Sequence, residues 1–145
     1  MYTNILIATD GSELAQKAVG QGIALARALN AKVTAVTVTE PWSAIVSGDG
    51  MIAFPVDDYD RSMAENAQST LNGVAEVARK AAYPCASRHI KDQQPAEGIV
   101  EAAKSLGCDL IVMASHGRRG IARMLLGSQA NKVVTLSPVP VLICR

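Results

Sequence analysis

The segment that decides the fold is DLIVMASHGRRG, residues 109–120, where an apolar run ends in a glycine-containing turn. We interpret Asp109–Ala114 as a strand that is buried on both faces, as strands of a parallel sheet are. A Gly127-Ser128 pair follows Gly117 after nine intervening residues, at the start of a helical pattern. A glycine turn before a helix N-terminus lets unpaired backbone N–H groups approach an anion closely. The segment therefore predicts the outline of a phosphate-binding loop.

Strands and helices alternate along the rest of the chain. Short apolar runs rich in β-branched residues predict the strands, and apolar residues spaced by three and four predict the helices. The predicted strands are Ile5–Ala8, Val33–Val38, Cys85–Ile90, Asp109–Ala114 and Val139–Cys144. The predicted helices begin at an N-cap, Ser12, and end near Asn30, run from about Asp58 to Ala82, open at Pro95 and stop at Gly107, and span Ser128–Leu136. This alternation predicts an α/β fold with an open, mostly parallel five-stranded sheet and helices on both faces.

Composition restricts the classes of protein that the chain can belong to. Its 145 residues, of which 49% are hydrophobic, suit one domain, 1–145, with a substantial core. A net charge of +1 and few, scattered aromatic residues argue against nucleic acid as a partner. The odd number of cysteines predicts reduced thiols in the core. We find no secretory signal and no apolar run of about 18 residues, so we expect a cytoplasmic protein without membrane insertion.

The connection after the second predicted strand is long. From Trp42 to about Asp57 the sequence shows no sustained period and contains Gly48, Gly50 and Pro55. Connections of this length are usually functional or mobile. We therefore predict a flexible lid in this segment.

The glycine segment resembles the nucleotide motif of the universal stress protein family, Gly-x2-Gly-x9-Gly-Ser/Thr. Gly117, nine intervening residues, Gly127 and Ser128 match its last three positions, whereas Ala114 replaces the first glycine. The resemblance extends from the opening strand to the closing strand. It implies an adenine nucleotide alpha hydrolase-like fold with strand order 3-2-1-4-5, commonly dimeric through the last strand, Val139–Cys144. Members of the family divide into ATP binders, which retain the glycine motif, and others that lack it.

The resemblance also implies the residues of an ATP site. Asp10 is similar to the aspartate that contacts the nucleoside, and Val38 is similar to a residue that lines the adenine pocket. The ribose and phosphates would lie against the motif residues, and helix-start amides would come from Gln129 and Ala130. The complete candidate set is Ala8, Thr9, Asp10, Val38, Met113, Ala114, His116, Gly117, Arg118, Gly127, Ser128, Gln129 and Ala130. In this strand order the first and fourth strands are neighbours where the order reverses, so Asp10 and Ala114 converge on one crevice.

Several of these residues have a second interpretation. Asp10 could cap the first helix or complete its turn, and Ser128 could act as an N-cap, a role compatible with anion binding. Arg118 and the arginines that follow it could form an ordinary solvated surface, with a phosphate partner as the less favoured role. His116 fits backbone positioning or a phosphate hydrogen bond better than catalysis. The sequence shows no Ser-His-Asp order, metal-spaced Cys/His set or Walker lysine motif, so we predict no catalytic or metal-ligating residues.

Three functions stay open at this point. The favoured one is a stress-response or regulatory module that binds ATP, with Mg²⁺ accompanying the phosphates and with an unknown protein partner. The second is a slow ATPase or phosphotransferase in the same pocket, for which the sequence shows no dedicated base. The third is a nucleotide-free dimeric interaction protein.

The replacement of the first motif glycine bears on the strength of binding. Ala114 ends a predicted strand, where φ is negative and an added methyl group costs little. A positive φ would instead impose about 1–2 kcal/mol of strain on the loop. We therefore expect ATP or a related adenine nucleotide to bind.

Overall fold

The central sheet follows the alternation that the sequence predicts. The computed structural model describes residues 1–43, 55–117 and 126–145. In these ranges the strands are β1 (Asn4–Ala8), β2 (Lys32–Val38), β3 (Ala86–Ile90), β4 (Leu110–Ala114) and β5 (Val141–Cys144). The helices are α1 (Glu13–Leu29), α2 (Val56–Ala81), α3 (Pro95–Ser105) and α4 (Ser128–Leu136). All neighbouring strands are parallel and their order is β3-β2-β1-β4-β5, which confirms the predicted fold class and strand order.

β1 is the central strand, and its side chains alternate between two core layers. Ile5 and Ile7 are fully buried in the layer that holds α1 and α2, whereas Leu6 and Ala8 belong to the layer of α3 and α4. Helices cover both faces of the sheet at this strand, and the strand is therefore an unbroken apolar run rather than an alternation of apolar and polar residues. At its carboxyl end, Ala8 pairs in register with Met113 of β4. The loops that follow β1 and β4 therefore start side by side.

Local capping sets both ends of α1. The Ala15 N–H donates to Ser12 Oγ at 3.2 Å, so Ser12 is the N-cap that the sequence predicts. Side-chain caps of this kind typically stabilise a helix by about 1 kcal/mol. At the other end Asn30 adopts the left-handed conformation, with a φ of 53°. Asparagine tolerates this conformation better than most residues do, and the predicted helix end near Asn30 is confirmed.

Two predicted boundaries are wrong by two residues. α2 begins at Val56 rather than near Asp58. β5 begins at Val141 rather than Val139, because a side-chain turn precedes it. There the Val139 N–H donates to Ser137 Oγ at 3.2 Å, and the Ser137 hydroxyl donates to the Val139 carbonyl at 2.6 Å. These bonds occupy both backbone polar groups of Val139. The other strand starts differ from their predicted positions by one residue.

Some predicted features fall on parts of the chain that are not described. Residues 44–54, which make up most of the predicted lid, lie outside the described residues, and so do Arg118 and the two arginines after it.

The three cysteines are free thiols, and Cys108 and Cys144 are buried, as the sequence predicts for core thiols. Within the described ranges, none of the helices has the length and apolar character needed to cross a membrane.

Candidate functional site

A cleft of about 540 Å³ opens beyond the carboxyl ends of β1, β2 and β4. In open α/β sheets this is the usual position for a ligand, at the point where the strand order reverses. Every predicted site residue that the structure describes lines the cleft: Ala8, Thr9, Asp10, Val38, Met113, Ala114, His116, Gly117, Gly127, Ser128, Gln129 and Ala130. Arg118 lies outside the described residues. The structure thus brings residues from both halves of the chain to one cavity.

Asp10 stands just beyond β1 on one wall of the cleft. Its Oδ1 accepts the Ser12 N–H at 3.0 Å, so the carboxylate completes the turn before α1, while Ser12 itself caps the helix. Its Oδ2 lies directly beside Gly117, because a Cβ built on Gly117 would lie only 2.6 Å from that oxygen. Gly117 does not have a positive φ. A glycine is therefore needed here for space beside the Asp10 carboxylate and not for backbone freedom.

Gly127 joins the end of β4 to the start of α4. Its N–H donates to the Ser115 carbonyl at 2.7 Å. A Cβ at this position would lie 2.9 Å from the same carbonyl oxygen and 3.3 Å from the Cα of His116. Both neighbours are backbone atoms, which cannot move as a flexible side chain can. The close approach holds the first turn of α4 against the loop that leaves β4.

The N-terminus of α4 is open to the cleft. Gly127, not Ser128, is its N-cap, so the alternative interpretation in which Ser128 caps the helix is wrong: Ser128 is the first helical residue. The Asn131 N–H closes the first intrahelical bond, to the Gly127 carbonyl at 2.9 Å. The earlier amides of the helix, on Ser128, Gln129 and Ala130, have no partner inside the helix. Together with the partial positive charge of the helix end, these donors suit an anion.

Two buried polar atoms at the cleft lack a partner among the described residues. They are Nε2 of His116 and Oε1 of Gln129. The other ring nitrogen of His116, Nδ1, lies 2.9 Å from Ser115 Oγ. An unpaired buried polar group costs about 1–3 kcal/mol, so such atoms mark places where a ligand can recover a hydrogen bond.

The alanine in place of the first motif glycine fits without strain. Ala114 is the last residue of β4 and is 7% exposed. Among the described residues other than glycine, a positive φ occurs at Asn30, Ala82 and Asp92 and not at Ala114. The negative φ predicted for the end of this strand is confirmed. The methyl group of Ala114 therefore adds a small apolar surface to the cleft floor and leaves the loop unstrained.

One wall of the cleft was missed by the sequence analysis. It consists of residues on one face of α2, Tyr59, Met63, Asn66 and Thr70. The Tyr59 hydroxyl donates to the Glu40 carbonyl at 2.7 Å and so ties this helix to the end of β2. Burial, together with the negative charge of Glu40, raises the pKa of Tyr59, which keeps the hydroxyl a donor. The available signal was the spacing of these residues by three and four positions along the helix, which does not tell what the face meets.

The cleft offers hydrogen-bond donors and apolar surface for a ligand. Within the described ranges, no group of three His, Cys, Asp or Glu side chains is arranged to hold a metal ion. His116 pairs with the hydroxyl of Ser115, and the amides at the start of α4 supply donors for an anion. Apolar surface from Val38, Ile99 and Met63 is available for a planar ring.

Comparison with known proteins agrees with this architecture. The model of the universal stress protein family matches residues 1–145. The chain belongs to the universal stress protein family. The universal stress protein YxiE of Bacillus subtilis is 30% identical over 149 residues, covering 100% of both chains.

Solved structures are similar as well. The structure of hypothetical protein MJ0577 has a TM-score of 0.82 at 26% identity and covers 99% of this chain and 96% of that chain. The crystal structure of a universal stress protein in complex with cAMP has a TM-score of 0.74 at 31% identity, over 99% of this chain and 97% of that chain. A relative with the same fold therefore binds an adenine nucleotide.

Proposed function

We propose that this universal stress protein binds an adenine nucleotide, with ATP as the favoured ligand, and acts as a cytoplasmic stress-response or regulatory module. The observation that carries the proposal is the open N-terminus of α4 in a cleft that also holds unpaired buried polar atoms. The amides at the start of this helix form a site that the phosphates of a ligand would complete.

The cleft divides into regions that match the parts of a nucleotide. Asp10 offers a carboxylate to ribose hydroxyls, and Val38 offers an apolar side chain to the base. The glycines at 117 and 127 leave room for the loop and helix start that would take the phosphates. The relative in complex with cAMP supports an adenine nucleotide as the ligand class.

Mg²⁺ would accompany the phosphates of ATP rather than occupy a dedicated protein site. Mg²⁺ commonly keeps several waters and is held by substrate phosphates with one or two carboxylates. Asp10 is the carboxylate in the cleft nearest the glycine loop, with Oδ2 facing Gly117. The protein's contribution is then positioning, and hydrolysis is not part of the proposed function.

Thermal unfolding with added ligand tests the proposal. A ligand that binds only the folded state raises the melting temperature in proportion to ln(1 + [L]/Kd). We expect ATP to raise it and GTP, whose base carries different hydrogen-bonding groups, to raise it less. A folded protein whose melting temperature does not respond to ATP, ADP, AMP or cAMP would instead support the nucleotide-free interaction protein.

We further propose that two copies associate through β5. This strand pairs with β4 on one side only, and Leu142 on it is 42% exposed. Val134 and Leu136 of α4 add exposed apolar side chains. An apolar edge strand of this kind invites pairing with another chain.

Sedimentation velocity tests the dimer with a matched pair of variants. Leu142→Lys places a charge at the edge strand, and we expect it to convert a dimer to a monomer. Val56→Lys changes a residue of similar exposure, 47%, at the start of α2, and we expect no change in sedimentation. A monomeric parent protein at micromolar concentration would refute this arrangement.

A further inference from the structure

The cleft extends over both faces of the sheet. On one face its lining includes Val38, Ile99 and Met113, which pack in the layer of α3 and α4. On the other face it includes Ala15, which belongs to the layer of α1 and α2, and Ala67 of α2. The proposed function assigns the base to the first face. It assigns no group to the second face, which we call the α1–α2 side of the cleft.

Thr37 is a buried polar residue on the α1–α2 side. It follows Ala35 of the α1 and α2 layer by two positions on β2, and side chains two positions apart on a strand share a face. Thr37 is 5% exposed and lines the cleft, and its hydroxyl makes no hydrogen bond to another residue in the described ranges. His89, its register partner on β3, is paired instead with the Thr39 hydroxyl at 2.8 Å. Because an unmet buried hydroxyl is costly, this one suits a ligand that lies in the cleft.

Thr9 adds a second hydroxyl beside Thr37. Its N–H donates to the Val36 carbonyl at 3.0 Å, which extends the pairing of β1 with β2 and places Thr9 next to Thr37. Thr9 is 7% exposed and also lines the cleft. Its Oγ1 accepts the Gly11 N–H at 3.2 Å, whereas its hydroxyl hydrogen has no acceptor within the described part of the chain. The two strands thus present one hydroxyl that can donate and one that can donate and accept.

α2 supplies the wall that faces these hydroxyls. Met63, Asn66 and Thr70 are spaced by three and four positions and line the cleft. Neither the Asn66 amide nor the Thr70 hydroxyl forms a hydrogen bond with any residue that the structure describes. Ala67, on the same wall, is 2% exposed. The wall therefore combines an amide and a hydroxyl with a thioether and a methyl group.

The side chains of the α1–α2 side are uncharged, and this decides the class of ligand. A charged group placed among them would lose its hydration without meeting a counter-charge. Asp10 and Glu40 line the same cleft and disfavour an anion further. Hydroxyl and amide side chains donate and accept hydrogen bonds, as a carboxamide does. The thioether of Met63 and the methyl group of Ala67 suit a ring.

We infer that the α1–α2 side of the cleft is a second ligand subsite, separate from the adenine nucleotide, and that it takes an uncharged ring bearing a carboxamide. The Thr37 hydroxyl donates to the carboxamide oxygen or accepts from its N–H. The inference goes beyond the proposed function, because Thr37, Asn66 and Thr70 have no role there in binding the nucleotide.

Nicotinamide is the probe for this subsite, and nicotinate, with a carboxylate in place of the amide, is the matched charged control. Methyl ¹H–¹³C correlation spectra report the two faces of the sheet separately, through Met63 and Thr37 on one and Val38 and Ile99 on the other. We expect nicotinamide to shift the Met63 and Thr37 methyl signals with a Kd of about 1 mM, both without and with saturating ATP. We expect nicotinate to bind at least about tenfold more weakly.

Three results would overturn the inference. Shifts confined to Val38 and Ile99 would place the probe in the base region. Loss of the Met63 and Thr37 shifts when ATP is added would show competition for one site. Equal affinity for nicotinate would refute the uncharged class of ligand.

A pair of threonine variants tests the role of the Thr37 hydroxyl. Thr37→Val removes the hydroxyl and keeps the branched shape, and Thr34→Val makes the same change on β2 at a residue that does not line the cleft. We expect Thr37→Val to bind nicotinamide about tenfold more weakly, with ATP affinity unchanged and the melting temperature not lowered. Thr34→Val should bind both ligands as the parent does. Unchanged nicotinamide affinity in Thr37→Val would refute the contact, and a lowered melting temperature would mean that the hydroxyl has a partner within the protein.

The subsite and the proposed function fail separately. If the parent protein binds ATP but nicotinamide at about 10 mM shifts neither Met63 nor Thr37, the subsite is refuted and the adenine nucleotide site stands. If nicotinamide shifts these two residues and ATP does not bind, the proposed function is refuted and the subsite stands.

Discussion

Gly117→Ala is expected to weaken nucleotide binding by displacing Asp10, without loss of fold stability. A Cβ at position 117 would lie 2.6 Å from Asp10 Oδ2, whereas ordinary contacts begin at 3.4 Å, so the carboxylate oxygen must shift by about 0.8 Å. That is enough to misplace a hydrogen bond to a ribose hydroxyl. Hydrogen bonds to charged groups contribute about 1.5–3 kcal/mol, which corresponds to a loss of affinity of about 10- to 150-fold. Gly117 is exposed and does not have a positive φ, so the free energy of unfolding should fall little or rise slightly.

Isothermal titration calorimetry with ATP measures this effect against two controls. Gly20→Ala adds a methyl group to a glycine of α1 with no atom within 4 Å, and we expect unchanged affinity and greater stability. Asp10→Ala removes the carboxylate that the new methyl group would strike. If Gly117 acts through Asp10, adding Gly117→Ala to Asp10→Ala should cost no further affinity. Additive losses in the double variant, or full affinity in Gly117→Ala alone, would refute the reasoning.

Three further predictions concern stability and the base pocket. Gly22→Ala should destabilise the protein by about 1–3 kcal/mol in urea unfolding, because the new Cβ would lie 2.6 Å from Ile7 Cδ1 in the core; a neutral result would mean that this contact relaxes freely. Gly98→Ala places a Cβ 2.9 Å from Val38 Cγ1 and should lower both the stability of the fold and the affinity for ATP. Both losses should be smaller when Val38 is replaced by alanine as well. Equal losses with and without Val38→Ala would contradict this prediction. Burial opposes ionisation of Asp109, but hydrogen bonds from two backbone N–H groups and a threonine hydroxyl outweigh it and lower its pKa. The unfolded state therefore takes up the proton first as the pH falls, so the stabilisation by Asp109 is present above about pH 4 and is lost below it. Asp109→Asn should make stability depend less on pH at the acid end of the profile. A stability–pH profile that is unchanged in this variant would contradict the assignment.

The fold was predictable because its signals are local and repeated. The apolar runs Ile5–Ala8 and Leu110–Ala114 differ visibly from the helical spacing between Ser12 and Asn30, and caps mark both ends of α1. Element starts were less predictable where a side-chain turn intervenes. The Ser137–Val139 turn, which delays β5, depends on hydrogen bonds that no periodicity shows.

The candidate site was predictable where it depends on motif spacing and strand order. Gly117, Gly127 and Asp10 converge because β1 and β4 are neighbours. The reason why position 117 needs a glycine was not predictable. Gly117 leaves space for a carboxylate that lies more than a hundred positions earlier in the sequence, and such a contact exists only in the folded chain.

The α2 wall of the cleft was not predictable because helical spacing does not tell which neighbour a face meets. Tyr59, Met63 and Asn66 share a face with residues that pack on the sheet. The first half of α2 lines the cleft, from Tyr59 to Thr70, whereas Val74 and Ala78 further along the helix are buried in the core. The hydrogen bond between Ser115 and His116 was not predictable either, because it depends on the rotamers of two adjacent side chains.

Equilibrium dialysis with labelled ATP tests the central claim, that the cleft between β1 and β4 is an adenine nucleotide site, most directly. The account predicts saturable uptake approaching one ATP per chain, displaced by excess unlabelled adenine nucleotide and strongly reduced in Gly117→Ala but not in Gly20→Ala. No uptake by the folded parent protein at millimolar ATP, or uptake that is the same in both variants, would contradict it.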